Sequence, residues 1–228
     1  MSSLENTAPA QELLKDVLDE GGSGKDVERQ TKQIAKNLRE GKEETLRGVH
    51  YVLEEGGHSG VIDTHSIADT LEEAGSDIGE VVGDRKTEEL EKGVAGQAYQ
   101  GVEGSSVINV HAVLRPGDGG VIDTEMLKDV KAHELEHEKQ SKQWNTEEVD
   151  IGGGDTLTRH QVSETGSMSV QSTIDWVSND YRSIYADVTR VITPSEAKQV
   201  ARTGDLKSLG KKIRAQRGFA ENEVALVN

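Results

Sequence analysis

The chemistry in this chain is concentrated in His133-Glu134-Leu135-Glu136-His137. On a helix, histidines four residues apart stack on one face, one turn apart, where they can bind a single ion. Glu134 lies about 100° further round such a helix. From there its carboxylate reaches a water on the ion without ligating the ion itself. Zinc lowers the pKa of that water, and the glutamate takes its proton as it attacks a carbonyl. Ligand, base, two spacers, ligand is the order of types this chemistry needs.

The surrounding residues must position that pair. Met126, Val130, His133, His137 and Trp144 fall along one stripe, with Lys128, Lys131, Glu136, Lys139 and Lys142 on the other faces. The two histidines therefore extend the buried side of the helix. The alternation in Val107-Ile108-Asn109-Val110-His111-Ala112-Val113-Leu114 predicts a strand ahead of it.

An internal repeat frames the motif. Val49-His50-Tyr51-Val52-Leu53 is similar to Val110-His111-Ala112-Val113-Leu114. Each is followed by a Gly-rich turn and then by Gly60-Val61-Ile62-Asp63-Thr64 or Gly120-Val121-Ile122-Asp123-Thr124. The unit reads as strand, glycine turn, short extended piece and helix, with Asp63-Thr64 and Asp123-Thr124 as caps. The copies span 49–74 and 110–134, and only the second carries the histidine pair. Asp118-Gly119-Gly120 lacks the ligand ladder of a calcium loop and reads as a turn.

The stretch Ala132-His133-Glu134-Leu135-Glu136-His137-Glu138-Lys139-Gln140 resembles the zincin superfamily of metallopeptidases. It further resembles the short zincin-like domains found beside bacterial toxins and contractile injection systems. The resemblance covers about residues 105 to 143 and is specific in the motif. It implies zinc on His133 and His137, Glu134 as general base, a peptide or protein substrate, and a strand beside the helix, here 107–114, that pairs with an extended peptide. The metzincin extension and the longer thermolysin-like pattern are not present. A gluzincin-type third ligand would be Glu164, in Glu164-Thr165-Gly166-Ser167, although Gly166 argues against a helix there. Asp175, Asp180 or Asp187 on a later helix, or His160, are the other choices. Zincins also use a Tyr or His on the oxyanion, which draws notice to Tyr181 and Tyr185, although core packing is the commoner explanation for such a pair.

Composition sets the bounds. With 42 Asp and Glu against 26 Lys and Arg, the net charge of −16 repels phosphate backbones and argues against a nucleic-acid partner. The absence of cysteine excludes thiol nucleophiles, disulfide scaffolds and Cys-type zinc sites. No stretch has the length of a membrane span, and the N-terminus shows no ordinary signal peptide. A cytoplasmic protein, or one exported by a route without such a signal, is expected. Glycine-rich turns without a P-loop lysine or dinucleotide fingerprint argue against nucleotide binding.

Residues 1–45 read as a helical N-terminal arm and 46–228 as the main domain. Gly152-Gly153-Gly154 reads as a hairpin tip, and a helix is expected through Ile174, Trp176, Val177, Tyr181, Ile184, Tyr185 and Val188. Another starts at Pro194, and the basic run Lys207 to Arg217 reads as a solvated helix face. The expected fold is α+β: a zincin-like domain with a small mixed sheet and the HExxH helix. The expected function is zinc-dependent peptide hydrolysis. The alternative is an acidic assembly protein in which the motif is a metal-stabilised or vestigial site.

Overall fold

The computed structural model describes residues 3–57, 63–91, 93–114 and 121–218. They form two compact units, one of residues 1–97 with 106–131 and the other of 98–105 with 132–228. Helices predominate around a small mixed sheet and a hairpin, so the chain is α+β.

The first unit runs α1 (Ser3–Asp19), β1 (Gly22–Ser23), α2 (Gly24–Arg39), α3 (Glu43–Glu55), α4 (Thr64–Val81), β2 (Lys86–Glu88), β3 (Gly96–Gln97), β4 (Val107–Asn109), α5 (Val110–Val113) and the start of α6 (Thr124–Glu138). Its sheet has the order β1-β2-β4-β3, with β2 and β4 parallel and both outer pairings antiparallel. Ser23 and Asp26 cap α2 reciprocally, which marks the sharp start after the glycines. The expected boundary at residue 45 runs through this unit. α1 buries Ala10, Leu13, Leu14, Val17 and Leu18. Gly75 and Gly79 of α4 lie directly against Thr31 and Glu28 of α2. The helices of the expected arm are thus part of a shared core, because an apolar stripe of that size must be covered.

Two strand expectations are corrected. Residues 49–53 lie within α3, and 107–114 splits into β4 followed by the single turn α5. Val49 and Leu53, four apart, are the residues of the first run that bury, which fits a helix; in the second, Ile108, Val110 and Ala112 bury in alternation and Val113 buries as well, so that run fits both periods. The exposed His50 and His111 alternate with valine over too few positions to decide between the two periods. Moreover, β4 pairs with β2 on one side and β3 on the other, so its backbone groups are occupied and it cannot accept a peptide as an edge strand. In both copies of the repeat the expected strand residues 49–53 and 110–113 are helical, and a capped helix starts at the threonine. Gly60, Val61, Ile62, His58 and most of both glycine turns lie outside the described residues.

The second unit holds the end of α6, the hairpin β5 (Glu148–Gly152) and β6 (Asp155–Thr158), then α7 (Arg159–Met168), α8 (Asn179–Thr189), α9 (Pro194–Thr203) and α10 (Leu206–Gln216). Its apolar core joins Ile151 and Leu157 of the hairpin to Val162, Val188, Ala197, Leu206, Leu209 and Ile213. α8 begins later than expected, which leaves Trp176 in the connection before it. α10 buries Leu206, Leu209 and Ile213 and also Arg214, which pairs with Asp150 at 2.6 Å. Its basic face is thus partly pinned to the hairpin. Among the described residues no helix is long and apolar enough to cross a membrane.

Candidate metal centre

α6 brings His133 and His137 to one face, and both are buried. The opposing element is α7, which the sequence reading left open because of Gly166. The helix forms because Thr158 and Gln161 make a capping box at its start. Gly166 serves packing: a Cβ there would lie 3.1 Å from Lys198 Cα, so its absence lets α9 approach α7. Thr158-x-x-Gln161 was the signal that could have placed this helix from sequence.

α7 carries Glu164 to the histidine pair. Glu164 Oε2 lies 3.3 Å from His133 Nε2 and 3.5 Å from His137 Nε2, and the two Nε2 atoms are 3.0 Å apart. These three residues form the one His, Cys, Asp and Glu cluster suited to a metal among the described residues. A single point can sit about 2 Å from all three atoms, the bond length of zinc to imidazole nitrogen or carboxylate oxygen. The donor set fits a borderline divalent cation.

The charges agree with such a site. Burial works against the Glu164 carboxylate, yet hydrogen bonds and charge from His133 and His137 outweigh it and hold the group far below the usual carboxylate range. Burial likewise disfavours charged His137, but the hydrogen bond and charge of Glu164 raise its pKa overall. Glu164 thus draws on both imidazole neighbours, and through it His137 is held more readily in its charged form. Glu134 is buried beside them and outside the ligand group, and burial pushes its carboxyl up despite the pull of both histidines.

A polar shell holds the ligands. Gln140 presents Oε1 to His137 Nδ1 at 3.2 Å and donates Nε2 to the Ser163 carbonyl at 3.0 Å and to Ser167 Oγ at 2.8 Å. Ser163 Oγ donates to Gln140 Oε1 at 2.7 Å and accepts from Gln100 Nε2 at 2.7 Å. Gln171 meets His133 Nδ1 at 2.7 Å, and the Trp176 ring stands edge-on to His133, with centroids 6.3 Å apart. The loop 98–105 closes on the end of α6: Gly101 donates to the His137 carbonyl at 3.0 Å and Gly104 to Glu138 Oε2 at 3.0 Å. Gly101 has φ +67° and a Cβ there would meet the Gln140 carbonyl at 2.6 Å, so this turn needs glycine. Glu136 was expected on a wet face. It is instead 1% exposed and receives both arms of Arg202 from α9, at 2.6 and 2.7 Å.

Of the other third-ligand choices, Asp175, Asp180 and Asp187 are exposed and stand outside the cluster. His160, one turn before Glu164, approaches the other oxygen, Oε1, at 3.8 Å and is also outside it. His160 stands edge-on to Tyr181, with centroids 6.0 Å apart. The Tyr181 hydroxyl is raised by burial and then by the charges of Glu164 and Glu134. Sequence reasoning missed Gln140, Ser163, Gln171 and Arg202, since none belongs to a spaced motif. No family model, curated protein or solved structure matches the chain.

Proposed function

We propose that this chain is a zinc-dependent hydrolase of peptide bonds, with His133, His137 and Glu164 as ligands and Glu134 as general base. The reading rests on one observation above all: three ligand atoms converge from α6 and α7 with a second carboxylate, Glu134, buried next to them but not among them. Three protein ligands leave a coordination position for a reactant, whereas a closed structural site uses four. The motif's likeness to zincins supplies the substrate class, and α6 with α7 would be the zincin helix pair of a gluzincin-type site.

A bound zinc ion would supply an electrophile for the scissile carbonyl and would acidify a water beside it. The chain's own residues do the rest. Glu134 takes a proton and returns it to the leaving amine. A carboxyl lifted by burial is better matched to that exchange near neutral pH than an exposed one. The two imidazoles hold their positions through the glutamine and serine shell. Tyr181 keeps its proton, since burial and two nearby carboxylates oppose its loss, and can donate to a carbonyl oxygen.

The test is metal analysis of the purified chain beside His137→Ala, followed by a peptide-hydrolysis screen with Glu134→Gln. About one zinc per chain, lost in His137→Ala, is expected. Glu134→Gln should keep the zinc and lose hydrolysis by roughly 10²- to 10⁴-fold. Zinc bound without any Glu134-dependent hydrolysis would favour the assembly-protein reading. A chain that takes up no metal would overturn both forms of the site.

A further inference from the structure

Both ligand imidazoles turn their second nitrogen to a glutamine, and the two glutamines are not equivalent. At Gln140 the amide nitrogen donates to the Ser163 carbonyl, which can only accept, so Oε1 must be the end facing His137. His137 therefore carries a hydrogen on Nδ1, which leaves Nε2 as its nitrogen for an ion. At Gln171 the nitrogen Nε2 faces His133 Nδ1 at 2.7 Å, while Oε1 is buried without a partner among the described residues. The two Nε2 atoms face each other 3.0 Å apart, and an ion held by both needs each Nε2 pair free, with the ring hydrogen on Nδ1 and an acceptor opposite it. Half a turn of the Gln171 amide brings Oε1 to Nδ1 and breaks no hydrogen bond that Oε1 now makes.

We infer that Gln171 is a positioning residue for His133, whose amide oxygen accepts from Nδ1–H when an ion is bound. The inference rests on the metal-site reading above. With Nδ1–H held by an acceptor, the Nε2 pair of His133 is free for the ion. The Trp176 edge then limits the remaining freedom of the ring. A histidine ligand that donates its other N–H to an acceptor is the usual way a metal site fixes tautomer and ring orientation. Here that partner comes from the connection between α7 and α8, not from either ligand helix.

The measurement is cobalt(II) and zinc affinity of the full chain by chelator competition, for wild type, Gln171→Ala and Gln171→Glu. Gln171→Ala is expected to weaken binding by roughly 10- to 100-fold. Gln171→Glu, which accepts and cannot donate, is expected to restore at least wild-type affinity. It keeps the side-chain size, so its result stands even if Gln171→Ala fails to fold. Wild-type affinity in Gln171→Ala would overturn the proposal. So would a Gln171→Glu as weak as Gln171→Ala, because an acceptor would then not be what His133 needs. A wild-type chain that binds neither ion would instead overturn the metal-site reading itself, and the two failures are thereby distinguished.

Discussion

Helices α4 and α6 begin from the same five residues and end in different surroundings. Both start at the threonine of the repeat, and both use the preceding aspartate as cap: Asp63 accepts from Ser66 N–H at 3.1 Å and Asp123 from Met126 N–H at 3.0 Å. Sixty residues apart, Glu73 of α4 matches His133 of α6, and Asp77 matches His137. Glu73 is exposed and Asp77 half-buried, whereas both histidines are buried. Ala74 and its counterpart Glu134 are both buried, but only Glu134 carries a charge-bearing group into that position. The shared start fixes where a helix begins. It does not fix what the faces two turns later meet. Carboxylates left in water need no partner, while buried imidazoles require Glu164, Gln140 and Gln171 around them.

The largest way to break this comparison is to exchange the faces. His133→Glu with His137→Asp gives α6 the residues of α4. Metal binding should vanish, and the ion-free fold should lose about 3 to 5 kcal/mol, because further carboxylates would be buried beside Glu134 and Glu164. Denaturant unfolding with chelator present isolates that loss from the effect of the ion. The reverse exchange, Glu73→His with Asp77→His, should leave stability within about 0.5 kcal/mol, as most surface changes do. Tight metal uptake by that variant would show that spacing alone suffices.

A smaller effect is expected at the back of the metal helix. Arg202→Ala leaves Glu136 almost fully buried without its bidentate partner. Loss of such a partner costs about 3 kcal/mol, taken at the low end because Arg202 is itself half in water. Urea unfolding beside Arg202→Ala with Glu136→Gln would sharpen the assignment, since the double change should recover most of the loss. The smallest effect tests what the helices share. Asp63→Ala and Asp123→Ala should each cost about 1 kcal/mol, the ordinary worth of an N-cap. Clearly unequal losses would mean that the two starts are not equivalent after all.

Local signals were legible wherever one element decides the outcome. The histidine pair, its neighbour Glu134, the aspartate caps, the hairpin tip at Gly152–Gly154 and the helix start at Pro194 all depend on residues a few positions apart. The strand expected at 49–53 and the second half of the one expected at 107–114 were misread because such short runs fit both periods: burial alternates through Ile108, Val110 and Ala112, while Val113 adds a spacing of three. α7 was obscured by Gly166, whose role depends on the approach of α9.

The sequence by itself determined that two imidazoles and a carboxylate would share one turn-and-a-bit of helix, since helical geometry is local and the spacing leaves no other arrangement on that element. It also determined the acidic, cysteine-free chemistry available to the site. Only the tertiary structure brought Glu164, of five candidates, to the histidine pair, set Gln171 behind His133, and buried Glu136 against Arg202. Those choices depend on which helices pack together, and packing of residues 27 to 66 positions apart is settled by the core as a whole and by no short pattern within it.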